Sequence, residues 1–191
     1  MQKLNTNIYT KVLLHEKISV NFKDINNNIY NLLQNLIKNK IEGVCINEGF
    51  VKPDSVNLIS YSSGEIYSNN ALFHIIYECL ITNPPESMVL NCSVKSITKV
   101  GIRAELNQEI SPFVVFIARD HHYNNDVFST ISEGDIINVR VVGQRFELND
   151  KFISIIAELV DINNYEKSKS EMIKSNETSI GSKIRLKLNK K

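Results

Sequence analysis

The chain has 191 residues, of which 22 are basic and 21 acidic, so its net charge is about +1, and 42% of it is hydrophobic. That content excludes disorder throughout, and the length suits one or two small domains, each burying its own core. Ile (26), Asn (24) and Lys (17) make up 67 of the 191 residues, against 7 Gly, 4 Pro and no Trp. Such a bias fits an AT-rich coding sequence more than a structural demand. No run of 18 or more apolar residues occurs, and residues 1–15 lack the apolar stretch of a signal peptide, so a soluble, non-secreted protein is expected.

In chain order, Ile8–Leu14 is a β-prone run and Lys17–Phe22 alternates like a half-buried strand. Asp24 then offers an N-cap carboxylate. Apolar residues at Ile25, Ile29, Leu32, Leu33, Leu36, Ile37 and Ile41 fall at intervals of three and four, which predicts one amphipathic helix running to about Lys40. Gly43 is placed to end it in the left-handed conformation. Short β runs follow at Val44–Val51, Ser55–Tyr61 and Ala71–Thr82, the last being the expected central strand of a small sheet that carries the helix on one face. Asn83-Pro84-Pro85-Glu86 stops it, since prolines supply no amide donors.

Five β runs come next: Met88–Ile97, Gly101–Leu106, Phe113–Ile117, Asp135–Leu148 and Phe152–Val160, with turn residues between most of them, including Asn149-Asp150. Five strands with the largest insertion, Ala118–Ser132, between the third and fourth outline an OB-fold barrel. The fold class expected is therefore α+β: a small tip domain over 1–85 with one helix on an antiparallel sheet, a five-stranded OB barrel over 86–164, and a basic tail over 165–191. The tail holds 8 basic and 3 acidic residues, against 14 and 18 in the preceding body. With few large apolar residues before Ile184, it is expected to be disordered. It serves either as a solubilising end or as a basic arm for nucleic acid or an acidic surface, and the alternation over Lys183–Leu188 would also suit addition to a sheet edge.

This arrangement resembles the stalk subunit of multisubunit DNA-directed RNA polymerases, the seventh-subunit family of RNA polymerase II and its archaeal counterpart. The resemblance is carried by Ile8–Phe22, by the helix ending in Ile41-Glu42-Gly43-Val44-Cys45, and by Gly64-Glu65-Ile66, Ala71–Thr82 and Pro84-Pro85-Glu86. In the second half it is carried by Leu90–Val94, Phe113–Phe116 and Ser132–Ile137. It spans residues 5–160. The compositional bias and the tail point to a divergent member, from a large cytoplasmic DNA virus or, second, an AT-rich protist. The resemblance implies a non-catalytic subunit without cofactor, located in the cytoplasm (viral factory or virion) or, in a cellular form, the nucleus. Its partners would be the large polymerase subunits, with or without a small helical stalk subunit, and weakly bound, sequence-independent nascent RNA. Docking near the clamp and RNA exit channel would fall to Gly43, Val44, Ile46, Gly49, Phe50, Val51, Pro53 and Ile66, within the segments 43–53 and 56–67. Val44, Ile46, Phe50 and Val51 would then be exposed in the lone chain.

Single-strand binding by an OB barrel needs aromatic faces and cations. The candidates are Phe116, Arg103, whose guanidinium can lie on a base, and Lys95, Lys99, Arg140, Arg145 and Lys151. Strand alternation puts Phe113, Val115 and Ile117 on one face and Val114 and Phe116 on the other. Both sets are apolar, which leaves open whether Phe116 is core or surface, and whether the barrel binds RNA or is purely structural. His121-His122 reads as a solvated loop, and His15 and His74 as hydrogen-bonded structural residues in apolar strands. Cys45, Cys79 and Cys92 lack metal-ligand spacing and read as reduced core thiols, with no metal site expected. No phosphate-loop, dinucleotide or nucleophile-elbow motif occurs. The alternative function is a freestanding OB-fold RNA-binding protein of translation or RNA processing.

Overall fold

The computed structural model describes residues 8–25, 27–108, 110–122, 128 and 130–160; the basic tail lies outside them. The two runs expected at Ile8–Leu14 and Lys17–Phe22 form a single strand, β1 (Thr10–Asn21), followed by a 3-10 turn over Phe22–Asp24 and a helix, α1 (Ile29–Ile41). The helix starts later than its spacing suggests. Asn28, not Asp24, is its N-cap, accepting from the Asn31 amide at 3.2 Å. Asp24 is spent in the 3-10 turn, which Ile25 closes by donating to the Phe22 carbonyl. Leu33, Ile37 and Ile41 make the buried stripe, four residues apart and hence on one face. Gly43 follows with φ +73°.

The segment 44–51 is a hairpin, β2 (Cys45–Ile46) and β3 (Gly49–Val51). After it come β4 (Asn57–Tyr61), β5 (Glu65–Tyr67) and the long β6 (Asn70–Thr82). As expected, β6 is central. One edge pairs with β1 over twelve residues, from Thr10↔Ile81 to Asn21↔Asn70. The other edge is shared in succession by β5, β4 and β3. At 3.2–3.4 Å per residue, β6 is about 40 Å long. Helix α1 lies over one face and is tied to β4 by Gln34, which donates to the Val56 carbonyl at 2.8 Å and accepts from the Leu58 amide at 2.6 Å.

The second half is a closed barrel of β7 (Val89–Ile97), β8 (Gly101–Leu106), β9 (Phe113–Ala118), β10 (Ile136–Arg145) and β11 (Ile153–Leu159), in the order β10-β11-β9-β8-β7. Only β9 and β11 run parallel; the other pairs are antiparallel. This is OB-type closure, with no edge left unpaired. Inward residues alternate along each strand, as with Ile102, Ala104 and Leu106 in β8 and Phe113, Val115 and Ile117 in β9. Asn149, with φ +68°, makes the β10–β11 turn.

The hairpin joins the halves. One edge of Cys45 faces β3, and on the other it donates to the Asp150 carbonyl at 2.7 Å and accepts from the Asn149 amide at 2.9 Å. Strand alternation then sends neighbours into different cores: Phe50 belongs to the barrel core and Val51 to the helix–sheet core. Gly49 permits the approach. Its φ is +136°, and a Cβ there would sit 2.5 Å from the Thr82 carbonyl.

All three cysteines are free and buried. Burial pushes Cys45 and Cys79 up to about 11, with Asp150 adding to the effect at Cys45 and Glu48 at Cys79, and burial alone pushes Cys92 to about 12. Because the thiolate is the reactive form, all three should resist a thiol reagent at pH 8 while the chain is folded. They should become labelled together on unfolding, Cys79 reporting on the helix–sheet core and Cys45 and Cys92 on the barrel core, as followed by mass spectrometry of the labelled cysteines.

Candidate nucleic-acid interface and docking surface

The outer surface of the barrel is set by register. Phe116 on β9 faces Arg103 on β8 and Ile156 on β11, and Arg103 faces Ser96 on β7, giving one row across four strands. Phe113, Val115 and Ile117 fill the core, so Phe116 takes the outer face, half-buried. Its ring lies over Gly101, where a Cβ would come within 2.8 Å of the ring and 2.3 Å of the Ile117 carbonyl. Glycine thus makes the seat for the aromatic, and the exposed Ile156 extends the apolar surface beside it.

The predicted cations divide into two sorts. Arg103, Arg140 and Arg145 pair with Glu105, Glu158 and Glu147 at 3.2, 3.2 and 2.8 Å. Lys95, Lys99 and Lys151 are exposed and form no ion pair among the described residues. Lys95 and Lys99 lie on β7 and its following turn, on the Arg103 side of Phe116. Arg140, Arg145 and Lys151 lie on β10 and the β10–β11 connection. The structure therefore does not bring all seven candidates to one point. Arg119, absent from that set, follows β9 directly and stacks its guanidinium on Phe128 at 5.1 Å. Sequence reasoning missed it because the insertion has no strand periodicity to place its side chains.

His122 departs from the solvated loop expected for the histidine pair. His121 is exposed, but His122 is buried, with Nδ1 2.8 Å from the Ala118 carbonyl and Nε2 accepting from the Leu159 amide at 2.9 Å. A carbonyl only accepts, so the hydrogen is on Nδ1. The ring stacks on Phe128, with centroids 5.3 Å apart. His15 and His74 are exposed on the sheet's outer face, His74 with its Nε2 4.0 Å from a Glu65 oxygen. Both lie in strands as expected, on the side of the sheet that faces solvent.

The predicted docking residues separate as well. Phe50 and Val51 are fully buried, because the hairpin is the joint between the two cores, and Gly49 is buried with them. Gly43, Val44, Ile46 and Pro53 surround that joint and are only partly exposed. Ile66 lies at the other end of β6 and is 80% exposed, next to Tyr67 at 78%. Phe22 and Tyr61 are exposed at that same end: the Phe22 amide donates to the Asn69 carbonyl, and Tyr61 packs edge-on to Phe73. No described helix is long and apolar enough to cross a membrane.

No protein-family model matches the chain. It is similar to a protein of Acanthamoeba polyphaga mimivirus named "Putative DNA-directed RNA polymerase subunit L376", with 28% identity over 178 residues, covering 85% of this chain and 87% of the relative. That similarity runs through both sheet and barrel and supports a divergent viral RNA polymerase subunit.

The seat of Phe116 is directly testable. Gly101→Ala should cost about 1–3 kcal/mol in urea unfolding through overpacking against the ring and the Ile117 carbonyl, and should shift the NMR resonances of Phe116.

Proposed function

We propose that this chain is a non-catalytic stalk subunit of a viral DNA-dependent RNA polymerase. It docks through its N-terminal sheet near the clamp and RNA exit channel and offers its barrel to nascent RNA. The observation that carries this reading is the similarity to the mimivirus polymerase subunit over 85% of the chain. A polymerase accessory subunit needs an apolar docking surface and no active site of its own, and its place of action is that of the enzyme it joins, the cytoplasmic factory or the virion.

The docking surface proposed is the far end of β6, where Phe22, Tyr61, Ile66 and Tyr67 are each exposed, Ile66 and Tyr67 on opposite faces of the sheet end. Scattered apolar residues on a surface are ordinary, whereas several at one end of a sheet mark an interface, and aromatic residues are the usual anchors of such contacts. Of the residues predicted for docking, Ile66 belongs to this surface; the set around Gly43–Pro53 serves docking indirectly, by fixing the barrel to the sheet. On the barrel, Phe116 supplies a stacking face. The paired arginines add cations at a small cost, since exposed ion pairs contribute only about 0–1 kcal/mol and yield readily to a phosphate. The three carboxylates on the same surface keep that RNA contact weak and salt-sensitive.

The test is co-expression of the tagged full-length chain with the large polymerase subunits of its source, followed by affinity purification. The large subunits should be recovered with the wild-type chain. The double variant Ile66→Asp, Tyr67→Ser should recover about tenfold less, or roughly 1.4 kcal/mol, with an unchanged melting temperature. Recovery of the chain without the large subunits would favour the freestanding RNA-binding protein instead.

A further inference from the structure

Beside Phe116, an open cleft of about 520 Å³ lies between the β7–β8 turn and the 3-10 turn that follows β9, lined by Ile97, Thr98, Lys99 and Arg119. Both cations stand on constrained backbone. Thr98 closes the turn that carries Lys99: its amide and hydroxyl donate to the Gly101 carbonyl at 2.9 and 3.0 Å, and its hydroxyl accepts from the Gly101 amide at 3.3 Å. The Arg119 amide donates to the Val100 carbonyl at 3.0 Å, which fixes one wall of the cleft against the other.

The Arg119 side chain is held as well. The His122 ring is fixed at both nitrogens by Ala118 and Leu159, Phe128 stacks on that ring, and the Arg119 guanidinium covers Phe128. Among the described residues, Arg119 has no carboxylate partner, unlike Arg103, Arg140 and Arg145. Glu133, on the Ile97 side, is engaged with the Ile97 amide at 3.3 Å, and Asp120, next to Arg119 in the 3-10 turn, forms no ion pair with it. Two cations without acidic partners among the described residues, on hydrogen-bonded turns and close to the glycine beneath an aromatic ring, have the composition of a phosphate subsite beside a base-stacking platform.

We infer that Lys99 and Arg119 bind a backbone phosphate of single-stranded RNA whose adjacent base stacks on Phe116. The inference rests on the reading of the barrel as an RNA-contacting surface and gives that surface its anchor, which is Arg119 rather than the three paired arginines. Arg119 keeps the guanidinium fork that suits a phosphate, and among the described residues no carboxylate must be displaced before it can act.

The experiment uses the full-length chain, an oligouridine probe read by fluorescence anisotropy across a salt series, and inorganic tripolyphosphate followed by amide chemical shifts. The expected result is that Lys99→Gln and Arg119→Gln each weaken oligouridine binding several-fold and flatten the salt dependence, the double variant by roughly 0.7 in log–log slope, the share of one neutralised phosphate. Arg119→Lys should largely retain the slope, and Phe116→Ala should weaken binding without changing it. Tripolyphosphate should shift the amides of Lys99, Gly101 and Arg119. Lys99 lies in an exposed turn, so its variant keeps the test valid even if Arg119→Gln loosens the stack on Phe128. Oligouridine binding with an unaltered slope in both glutamine variants would overturn the subsite and leave the RNA reading standing. Tripolyphosphate shifts at the cleft without oligouridine binding would support the phosphate subsite and overturn the RNA reading. Absence of both would overturn both.

Discussion

The hairpin Cys45–Val51 is the constraint on which the rest of the molecule depends. It is too short to be stable alone, and it persists because both of its edges are used, one by the Asn149–Asp150 turn of the barrel and the other by the end of β6. Phe50 and Val51 then commit it to two cores at once. A strand whose adjacent side chains belong to different cores cannot slip by one residue without exchanging a phenylalanine and a valine between cavities shaped for the other. The hairpin therefore fixes the relation between sheet and barrel, and with it the separation of the surface around Ile66 from the surface around Phe116.

Charge on the barrel is arranged by the same economy of position. Three arginines on outward strand positions are matched by glutamates within reach, two residues along the chain or directly across the ladder. This neutralises the surface without burying any charge, so each pair contributes little to stability. Arg119 follows a different logic, resting on an aromatic ring that is itself held by a doubly bonded histidine. Among the described residues, the barrel surface is thus nearly balanced around these pairs, with Arg119 set apart as a cation preorganised by stacking.

Much of the fold was legible in the sequence because local pattern and tertiary demand agree there. The barrel strands follow period-two alternation and are bounded by turn residues, and Gly43 and Asn149 take up the left-handed conformations their positions imply. Misreadings arose where one segment answers to two partners. The 44–51 run is apolar because it fills the joint, and sequence alone does not distinguish a joint from an exposed docking surface. Asp24 and Asn28 are both competent N-caps, and the choice between them was made by the turn that β1 needs before α1. Arg119 and His122 were obscure because the insertion's geometry comes from packing against β8, β11 and Phe128 rather than from a repeat.

The most direct test of the account is the response of the two halves to Phe50→Ala. Truncating a fully buried phenylalanine should cost about 3–5 kcal/mol. If the hairpin couples the two cores, native-state hydrogen exchange should show that destabilisation equally at Ile75 and Tyr77 in β6 and at Ile102 and Ala104 in β8. A destabilisation confined to the β8 amides, with β6 as protected as in the wild type, would contradict it.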